Sequence, residues 1–178
     1  MGNCNSRFYD AGSDLWFGDF QEPNYFRIEE AEYYKRALRH ERIKAVDYVL
    51  CQQDDLGMTV VFIEAKKNLY STGKGFRNDI SDISMQFIDS LHLICGIRLS
   101  GKNAKIPLPN GFEQFFQQCG QLVFALVIKN CPIDELEIIE EALSTRLKRE
   151  KLVWNFKIRV YNEALAIVKN IVVTGAEI

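Results

Sequence analysis

Apolar residues between positions 79 and 95 recur at steps of three and four, the spacing of one face of an α-helix. They are Ile80, Ile83, Phe87, Leu91 and Ile94. Acidic and amide residues take another face of the same segment: Asp79, Asp82, Gln86 and Asp89. The pattern predicts an amphipathic helix whose apolar face packs against a core.

Two β-prone stretches precede this helix and are separated by a turn. Residues 43–52 include Val46 and Val49, and residues 58–66 consist largely of apolar side chains. Between them, "QDDLG" has the composition of a turn and ends at Gly57. We predict an antiparallel hairpin whose two strands both lie inside a sheet.

Further elements are predicted downstream of the helix. The almost continuous apolar run at 121–130 is typical of a strand covered on both faces. Residues 134–151 follow Pro132 and change from acidic to basic, which suits a helix and its dipole. Residues 155–162 predict a last strand, and residues 163–173 predict a helix or a helix followed by a strand.

The N-terminal part of the chain shows no clear period. Residues 1–24 predict an irregular lead-in, in which Trp16, Phe17 and Phe20 are packing anchors. Residues 25–41 are rich in helix formers and charges and predict a helix, although "YFRIE" also fits a short strand. We attach no function to the lead-in.

Composition and element order together indicate one domain over 1–178. The chain has 178 residues, of which 47% are hydrophobic and 26% charged, values typical of globular proteins. A hairpin followed by alternating helices and strands predicts a mixed α/β (α+β) fold, with a central mixed sheet flanked by helices.

The overall charge points to no particular partner. Formal net charge is -2, so any attraction for nucleic acid has to come from a local surface. No apolar stretch approaches the roughly 18 residues of a membrane span, and we expect a cytoplasmic protein without stable membrane association. The start "MGNCNS" matches a myristoylation signal at Gly2, with Cys4 as a palmitoylation site, if the host is eukaryotic.

The cysteines and histidines do not form a recognisable catalytic or zinc motif. The five cysteines are widely spaced and predict reduced, buried thiols: Cys4, Cys51, Cys95, Cys119 and Cys131. The two histidines, His40 and His92, lie outside any HExxH pattern. A zinc hydrolase and a Ser/His hydrolase are therefore disfavoured.

The segment "VVFIEAKK" at 60–67 ends an apolar strand with charged residues. Residues two apart on a strand share a face, so Glu64 and Lys66 point together. With the turn near residues 54–57, strand pairing brings Asp47 level with Glu64. Two carboxylates suit Mg²⁺ or Mn²⁺. A nearby lysine can orient or help deprotonate the attacking water and offset charge on the phosphate. This combination favours phosphodiester hydrolysis.

The strings "VDYVL" and "IEAKK" resemble the motif of the PD-(D/E)XK nuclease superfamily, which has the restriction-endonuclease-like fold. The wider string "IEAKKN … QFIDSLHL" is similar to small bacterial members of that superfamily. The resemblance implies that Asp47 and Glu64 bind the metal with the Ala65 carbonyl, and that Lys66 is the catalytic lysine. Val46 stands where many members have proline.

Members of this superfamily commonly add residues from the first helix and from the helix after the motif. Glu29 or Glu30 would be the additional acid, and Gln86 the residue from the later helix. The residues alone leave alternatives for each of these. For Gln86, a solvated helix face is the favoured interpretation. For Glu64 and Lys66, the alternative is a salt-bridged strand end, with Asp47 capping a turn.

The partners follow from the same resemblance. We expect nucleic acid, DNA rather than RNA, with Lys74 and Arg77 as backbone contacts from the polar loop at 68–79; a flexible surface loop is the alternative. The protein would be a metal-dependent nuclease, with a bacterial defence system as one setting, acting with a protein partner or as a homodimer. The alternative is a catalytically silent binding or assembly subunit that keeps the nuclease fold.

Overall fold

A computed structural model describes residues 5–21, 24–54, 57–100, 104–108, 118 and 120–174. The strands are β1 (Asn5–Asp10), β2 (Leu15–Gln21), β3 (Tyr25–Phe26), β4 (Tyr48–Asp54), β5 (Gly57–Lys66), β6 (Gln121–Ile128), β7 (Lys157–Asn162) and β8 (Val172–Val173). The α-helices are α1 (Phe76–Ser100), α2 (Ile133–Arg146), α3 (Lys148–Trp154) and α4 (Glu163–Val168). A 3₁₀-helix (Ile28–Glu30) and a π-helical turn (Tyr34–Leu38) lie between β3 and β4.

The central sheet has the strand order β3-β4-β5-β6-β7. The pairs β3–β4 and β4–β5 are antiparallel, whereas the pairs β5–β6 and β6–β7 are parallel. Each parallel pair is connected through a helix, as a parallel crossover requires. The prediction of a mixed α/β fold with a mixed sheet and helices is confirmed.

The two faces of the central sheet contact different layers. On one face, side chains such as Phe62, Phe124 and Leu126 join a core with residues of α1 and α2. On the other face, side chains such as Ile63 and Val127 join a core with a second sheet of order β1-β2-β8. Because alternate residues of β5 and β6 point to opposite faces, both strands are buried throughout their centres.

Several predicted elements are confirmed. The hairpin is β4 and β5, antiparallel as expected, although β4 begins at Tyr48 and not at residue 43. The predicted helix is α1, although it extends beyond 79–95, and all five of its predicted apolar positions are buried. The apolar run at 121–130 is β6, and residues 163–173 form a helix followed by a strand.

The irregular lead-in predicted for 1–24 is wrong for its described part, which forms the β1–β2 hairpin. The anchors Phe17 and Phe20 are buried as predicted, and Trp16 is half-buried. The strand pattern was not visible because a bulge interrupts the alternation: Ser6 pairs with Phe20, but Arg7 pairs with Gly18. A Cβ at Gly18 would lie 2.9 Å from the Cα of Arg7, so this close strand pairing requires glycine.

Two predicted helices also differ from the structure. Residues 25–41 form β3, a 3₁₀-helix and a π-helical turn, in which only Ile28 and Tyr34 are buried. Residues 134–151 form two helices that meet at Leu147, whose φ and ψ are -98° and 17°. Leu147 is 2% exposed and belongs to the core, so the helix breaks at a buried residue. The second helix, α3, buries no residue.

The described cysteines agree with the prediction of reduced thiols. Cys51 and Cys131 are buried and Cys95 is half-buried, and all three are free. Cys4 and Cys119 lie outside the described residues, as does Gly2 of the myristoylation match. No helix in the described part of the chain is long and apolar enough to cross a membrane.

Candidate functional site

The register of the central hairpin brings the two predicted carboxylates together. Tyr48, the first residue of β4, pairs with Ile63, and continuing this register by one position sets Asp47, which directly precedes β4, level with Glu64. Directly opposed residues of an antiparallel pair share a face. One carboxylate oxygen of Asp47, Oδ2, accepts a hydrogen bond of 2.8 Å from the N–H of Ala65. The predicted proximity of Asp47 to this strand end is confirmed.

Glu64 is the most enclosed charged side chain of the site, with 1% of its surface exposed. Its Oε1 accepts hydrogen bonds from Lys66 Nζ at 2.6 Å and from Gln86 Nε2 at 2.7 Å. Its Oε2 is buried and has no hydrogen-bond partner. A buried carboxylate oxygen without a partner is energetically costly and indicates that something else completes the site.

Burial raises the pKa of both carboxyl groups of the site. Desolvation by burial raises the pKa of Asp47 well above its ordinary value, and the negative charge of Glu64 raises it further. Burial also raises the pKa of Glu64, although the ammonium of Lys66 and the amide of Gln86 act in the opposite direction. The site therefore attracts positive charge, because the ionised carboxylates are incompletely neutralised.

Lys66 lies where the site meets solvent, with 37% of its side chain exposed. Desolvation works to lower its pKa, but the charge and hydrogen bond of Glu64, together with Asp47, raise it above the ordinary value. Lys66 is therefore a stable ammonium at neutral pH. In this state it can stabilise negative charge but cannot accept a proton.

Gln86 belongs to the site and does not lie on a fully solvated helix face. It is half-buried on α1. Its amide nitrogen donates to Glu64, and lies 3.4 Å from the carbonyl oxygen of Ala45. Helix α1 thus presents an amide to the end of β5, as the resemblance implied.

The two candidate glutamates of the first helix have different surroundings. Glu30 forms an ion pair with Arg27. Partial desolvation raises the pKa of Glu29, and the charges of Arg39, Arg27 and Lys66 oppose this shift. The charge of Glu29 in turn raises the pKa of Glu64. Of the two, Glu29 is therefore the better candidate for an outlying acid of the site.

A cavity of about 300 Å³ opens beside Lys66 and Gln86. Lys44, Asn68 and Asp82 also line it, and Lys44 forms an ion pair of 2.8 Å with Asp82. The cavity gives a small group access to Lys66 and Gln86, both of which contact Glu64. The cavity is lined by both basic and acidic side chains. Basic side chains suit an anionic substrate, and acidic side chains suit a cation.

The structure does not bring the two predicted nucleic-acid contacts into this cavity. Lys74 is exposed in the segment before α1. Arg77 is exposed in the first turn of α1 and lines another groove, between α1 and α2, with Phe76 and Arg146. Their contact with a nucleic-acid backbone stays a prediction.

One acidic residue whose charge reaches the site was not predicted from the sequence. Asp10 ends β1, and its negative charge is among the causes that raise the pKa of Asp47. No local motif contains Asp10, since it comes from the segment predicted to be irregular. Only the placement of the β1–β2 hairpin relates Asp10 to the site.

The residues present fit a hard divalent cation that keeps several of its waters. The described residues include no group of three or more His, Cys, Asp or Glu side chains suited to hold a metal ion. Mg²⁺ is often bound through only one or two carboxylates, with water and substrate completing its coordination. The unpartnered Oε2 of Glu64, opposite Asp47, fits this type of binding.

Comparison with known proteins did not identify a relative. No protein-family model, curated protein or solved structure matches this chain. The membership of the PD-(D/E)XK superfamily therefore stays a prediction based on Asp47, Glu64 and Lys66. The function has to be inferred from the geometry and charge of the site.

Proposed function

We propose that this protein is a metal-dependent nuclease of the PD-(D/E)XK type, which hydrolyses phosphodiester bonds in DNA. One observation carries the proposal. The fully buried Glu64 lies opposite Asp47 and has a carboxylate oxygen without a partner. Burying such a group is unfavourable, and a bound divalent cation would satisfy it.

The order of elements supports the same class. The strand bearing Glu64 and Lys66 follows an antiparallel partner and leads through a helix to a parallel strand. That helix contributes Gln86 to the site. This arrangement is compatible with the restriction-endonuclease-like fold that the motif implies.

Asp47, Glu64 and the carbonyl of Ala65 would hold Mg²⁺ or Mn²⁺. When bound, such an ion supplies Lewis acidity and lowers the pKa of a coordinated water. The ammonium of Lys66 stabilises the negative charge that develops on the phosphate. Gln86 keeps the Glu64 carboxylate in one orientation, because its amide and Lys66 donate to the same oxygen.

The substrate preference and setting belong to this proposal as well. The phosphate of a DNA strand would enter the cavity that Lys44 and Lys66 line, and Lys74 and Arg77 would contact the backbone farther away. A chain with net charge -2 has little general attraction for DNA. This low attraction fits targeting to DNA by a protein partner or by a second copy of the chain. The setting we propose is the cytoplasm, within a bacterial defence system.

Cation binding is the first test. Titration calorimetry with MnCl₂ should detect binding to the unmodified protein and a loss of at least about tenfold in affinity for Glu64→Gln. Glutamine keeps an oxygen to accept from Lys66 and Gln86 but removes the charge. The exposed Glu137 provides the control, and Glu137→Gln should bind as the unmodified protein does.

Cleavage is the second test. Double-stranded DNA, single-stranded DNA and RNA are incubated with the protein and Mn²⁺ or Mg²⁺, and the products are separated on denaturing gels. Lys66→Met should lower kcat by about 100-fold or more, whereas the exposed Lys157 should tolerate Lys157→Met. Mn²⁺ affinity unaffected by Glu64→Gln, with no cleavage of any substrate, would contradict the proposal.

A second candidate function is a catalytically silent subunit that binds or assembles with nucleic acid and protein. The ion pair of 2.6 Å between Lys66 and Glu64 favours it, because the two charges already satisfy each other in part. Such a subunit would bind DNA equally well before and after Glu64→Gln, with no dependence on divalent cation. Electrophoretic mobility shifts with and without EDTA distinguish this function from the nuclease.

A further inference from the structure

The short segment that precedes β4 is held against α1 by hydrogen bonds of its backbone. The N–H of Lys44 donates to Asp89 Oδ2 at 3.0 Å, and the N–H of Val46 donates to Ser90 Oγ at 2.8 Å. Ser90 is fully buried. Asp47 directly follows this segment, so α1 fixes the backbone of Lys44 in a constant place relative to the candidate cation site.

The ammonium of Lys44 lies near the polar groups of that site. Its Nζ is 2.8 Å from Asp82 Oδ1. Asp82 and Gln86 are four positions apart on α1, and side chains with this spacing lie on one helix face with their Cβ atoms about 5 to 6 Å apart. The Gln86 amide in turn donates to Glu64. Lys44 and Lys66 line the same cavity of about 300 Å³, so two ammonium groups border one space at the end of β5.

The ion pair of Lys44 can be exchanged for another anion. The side chain of Asp82 is 64% exposed and that of Lys44 is 34% exposed. Ion pairs with this exposure contribute little to stability, because water solvates each partner when the pair separates. A phosphate accepts hydrogen bonds from an ammonium as a carboxylate does. A phosphate that enters the cavity can therefore replace the carboxylate of Asp82 at little cost.

We propose that Lys44 binds a phosphodiester group of the DNA strand in this cavity, in exchange for Asp82. This inference rests on the proposed function, to which it adds the residue that binds the substrate strand and the residue that opposes its binding. Lys66 pairs with Glu64 and serves the phosphate that reacts. Lys44 pairs with Asp82, one helical turn before Gln86, and binds the strand without stabilising the reacting group.

The first test is DNA binding, measured by the fluorescence anisotropy of a labelled duplex. CaCl₂ replaces MgCl₂, because Ca²⁺ also takes oxygen ligands but has a looser geometry, which should slow cleavage. Lys44→Met should weaken binding about tenfold and lower the slope of log affinity against log salt by about one. Arg36→Met is the matched control. Arg36 forms an exposed ion pair with Glu32 and does not line the cavity, so its loss should change the affinity less than about twofold.

A variant of the other partner tells an exchange from a pair that only supports the fold. Lys44→Met and Asp82→Asn break the same ion pair, so a purely structural pair would change DNA binding in the same direction in both. The inference predicts opposite directions. Asp82→Asn should strengthen binding by about two- to fivefold, because Lys44 then has no competing carboxylate, and Glu32→Gln should leave the affinity unchanged. Unchanged or weaker binding in Asp82→Asn would overturn the inference.

Cleavage kinetics separate binding from chemistry. Lys44→Met should raise KM about tenfold and leave kcat nearly unchanged, because a contact made equally in the ground state and the transition state affects only KM. Lys66→Met should instead lower kcat. A lower kcat with unchanged KM in Lys44→Met would contradict the assigned role.

The same measurements tell the failure of this inference from the failure of the proposed function. If Lys44→Met binds DNA as the unmodified protein does, while Glu64→Gln still weakens Mn²⁺ binding, the inference about Lys44 is wrong and the proposed function stands. If Glu64→Gln does not weaken Mn²⁺ binding and no substrate is cut, the proposed function is wrong. The absence of any DNA binding by the unmodified protein would overturn the inference as well.

Discussion

Asp47 and Glu64 are buried carboxylates, which lower the stability of the fold but would favour the binding of a cation. Both are carboxylates removed from most of their water, and the charge of Glu64 makes ionisation of Asp47 less favourable. A fold selected for stability alone would place neutral groups here. The unfavourable charge is understandable if a cation binds between the two residues, since the same repulsion then increases cation affinity.

This conflict predicts that Asp47→Asn stabilises the protein when no divalent cation is present. The raised pKa means that folding favours protonated Asp47, so its contribution to stability is full in acid and is lost as the pH rises through that pKa. The neutral amide should therefore raise the free energy of unfolding by about 1 kcal/mol at pH 8. Asparagine can still accept from the N–H of Ala65.

Urea unfolding with EDTA, followed at pH 8 and again near pH 4, measures this difference. The gain in stability of Asp47→Asn should disappear near pH 4, where position 47 is neutral in the folded state of both the variant and the unmodified protein. Glu137→Gln, at an exposed position, should change stability by less than about 0.5 kcal/mol. If Asp47→Asn were instead less stable than the unmodified protein at pH 8, the pKa of Asp47 would not be raised in the folded protein.

The helix α1 connects the helical layer to the chemistry at the end of β5. Its buried stripe includes Ile83, Phe87 and Ser90, and Gln86 lies at the border of that stripe. A border position can face solvent or the neighbouring strand, depending on how the helix is rotated about its axis. The pattern of apolar residues could therefore locate α1 but could not decide where the Gln86 amide points.

The contact between α1 and β5 predicts that Gln86→Met is destabilising. A hydrogen bond to an ionised, buried carboxylate contributes about 1.5 to 3 kcal/mol. The substitution also raises the pKa of Glu64 further, so the loss should be largest at pH 8 and smaller towards acid pH. Met85 is a neighbouring position that is 43% exposed, and Met85→Gln serves as the control in the same urea experiment.

At the scale of the whole molecule, the central sheet lies between a layer of helices and a second sheet. The second sheet joins both ends of the described chain, since β2 pairs with β1 and with β8. Phe17 of β2 contacts Tyr48 of β4, with ring centroids 4.7 Å apart. The N-terminal hairpin is thus a part of the core and supports the strand that follows Asp47.

This arrangement predicts that Phe17→Ala lowers the free energy of unfolding of the whole domain by about 3 to 5 kcal/mol. Phe17 has no exposed surface, so its truncation leaves a cavity between the two sheets. Tyr70→Ala, at a position that is 52% exposed, should have little effect. Fluorescence and circular dichroism should give the same urea midpoint; separate transitions would mean that the hairpin unfolds independently.

The sequence by itself determined the features that depend on neighbouring residues. The period of α1, the β4–β5 hairpin and the shared face of Glu64 and Lys66 follow from local spacing. The opposition of Asp47 and Glu64 also follows, because a short turn fixes the register of a hairpin. These local rules placed the three residues on which the proposed function depends.

Only the tertiary structure decided which distant segments complete the site. Lys129, directly after β6, donates to the backbone oxygen of Asp14 in the β1–β2 turn, 115 positions away, and no local period relates the two residues. The bulge in β2 hid the hairpin that carries Asp10, and the rotation of α1 decided the direction of Gln86. Each of these depends on packing between layers, which buries particular side chains only when the whole chain has folded.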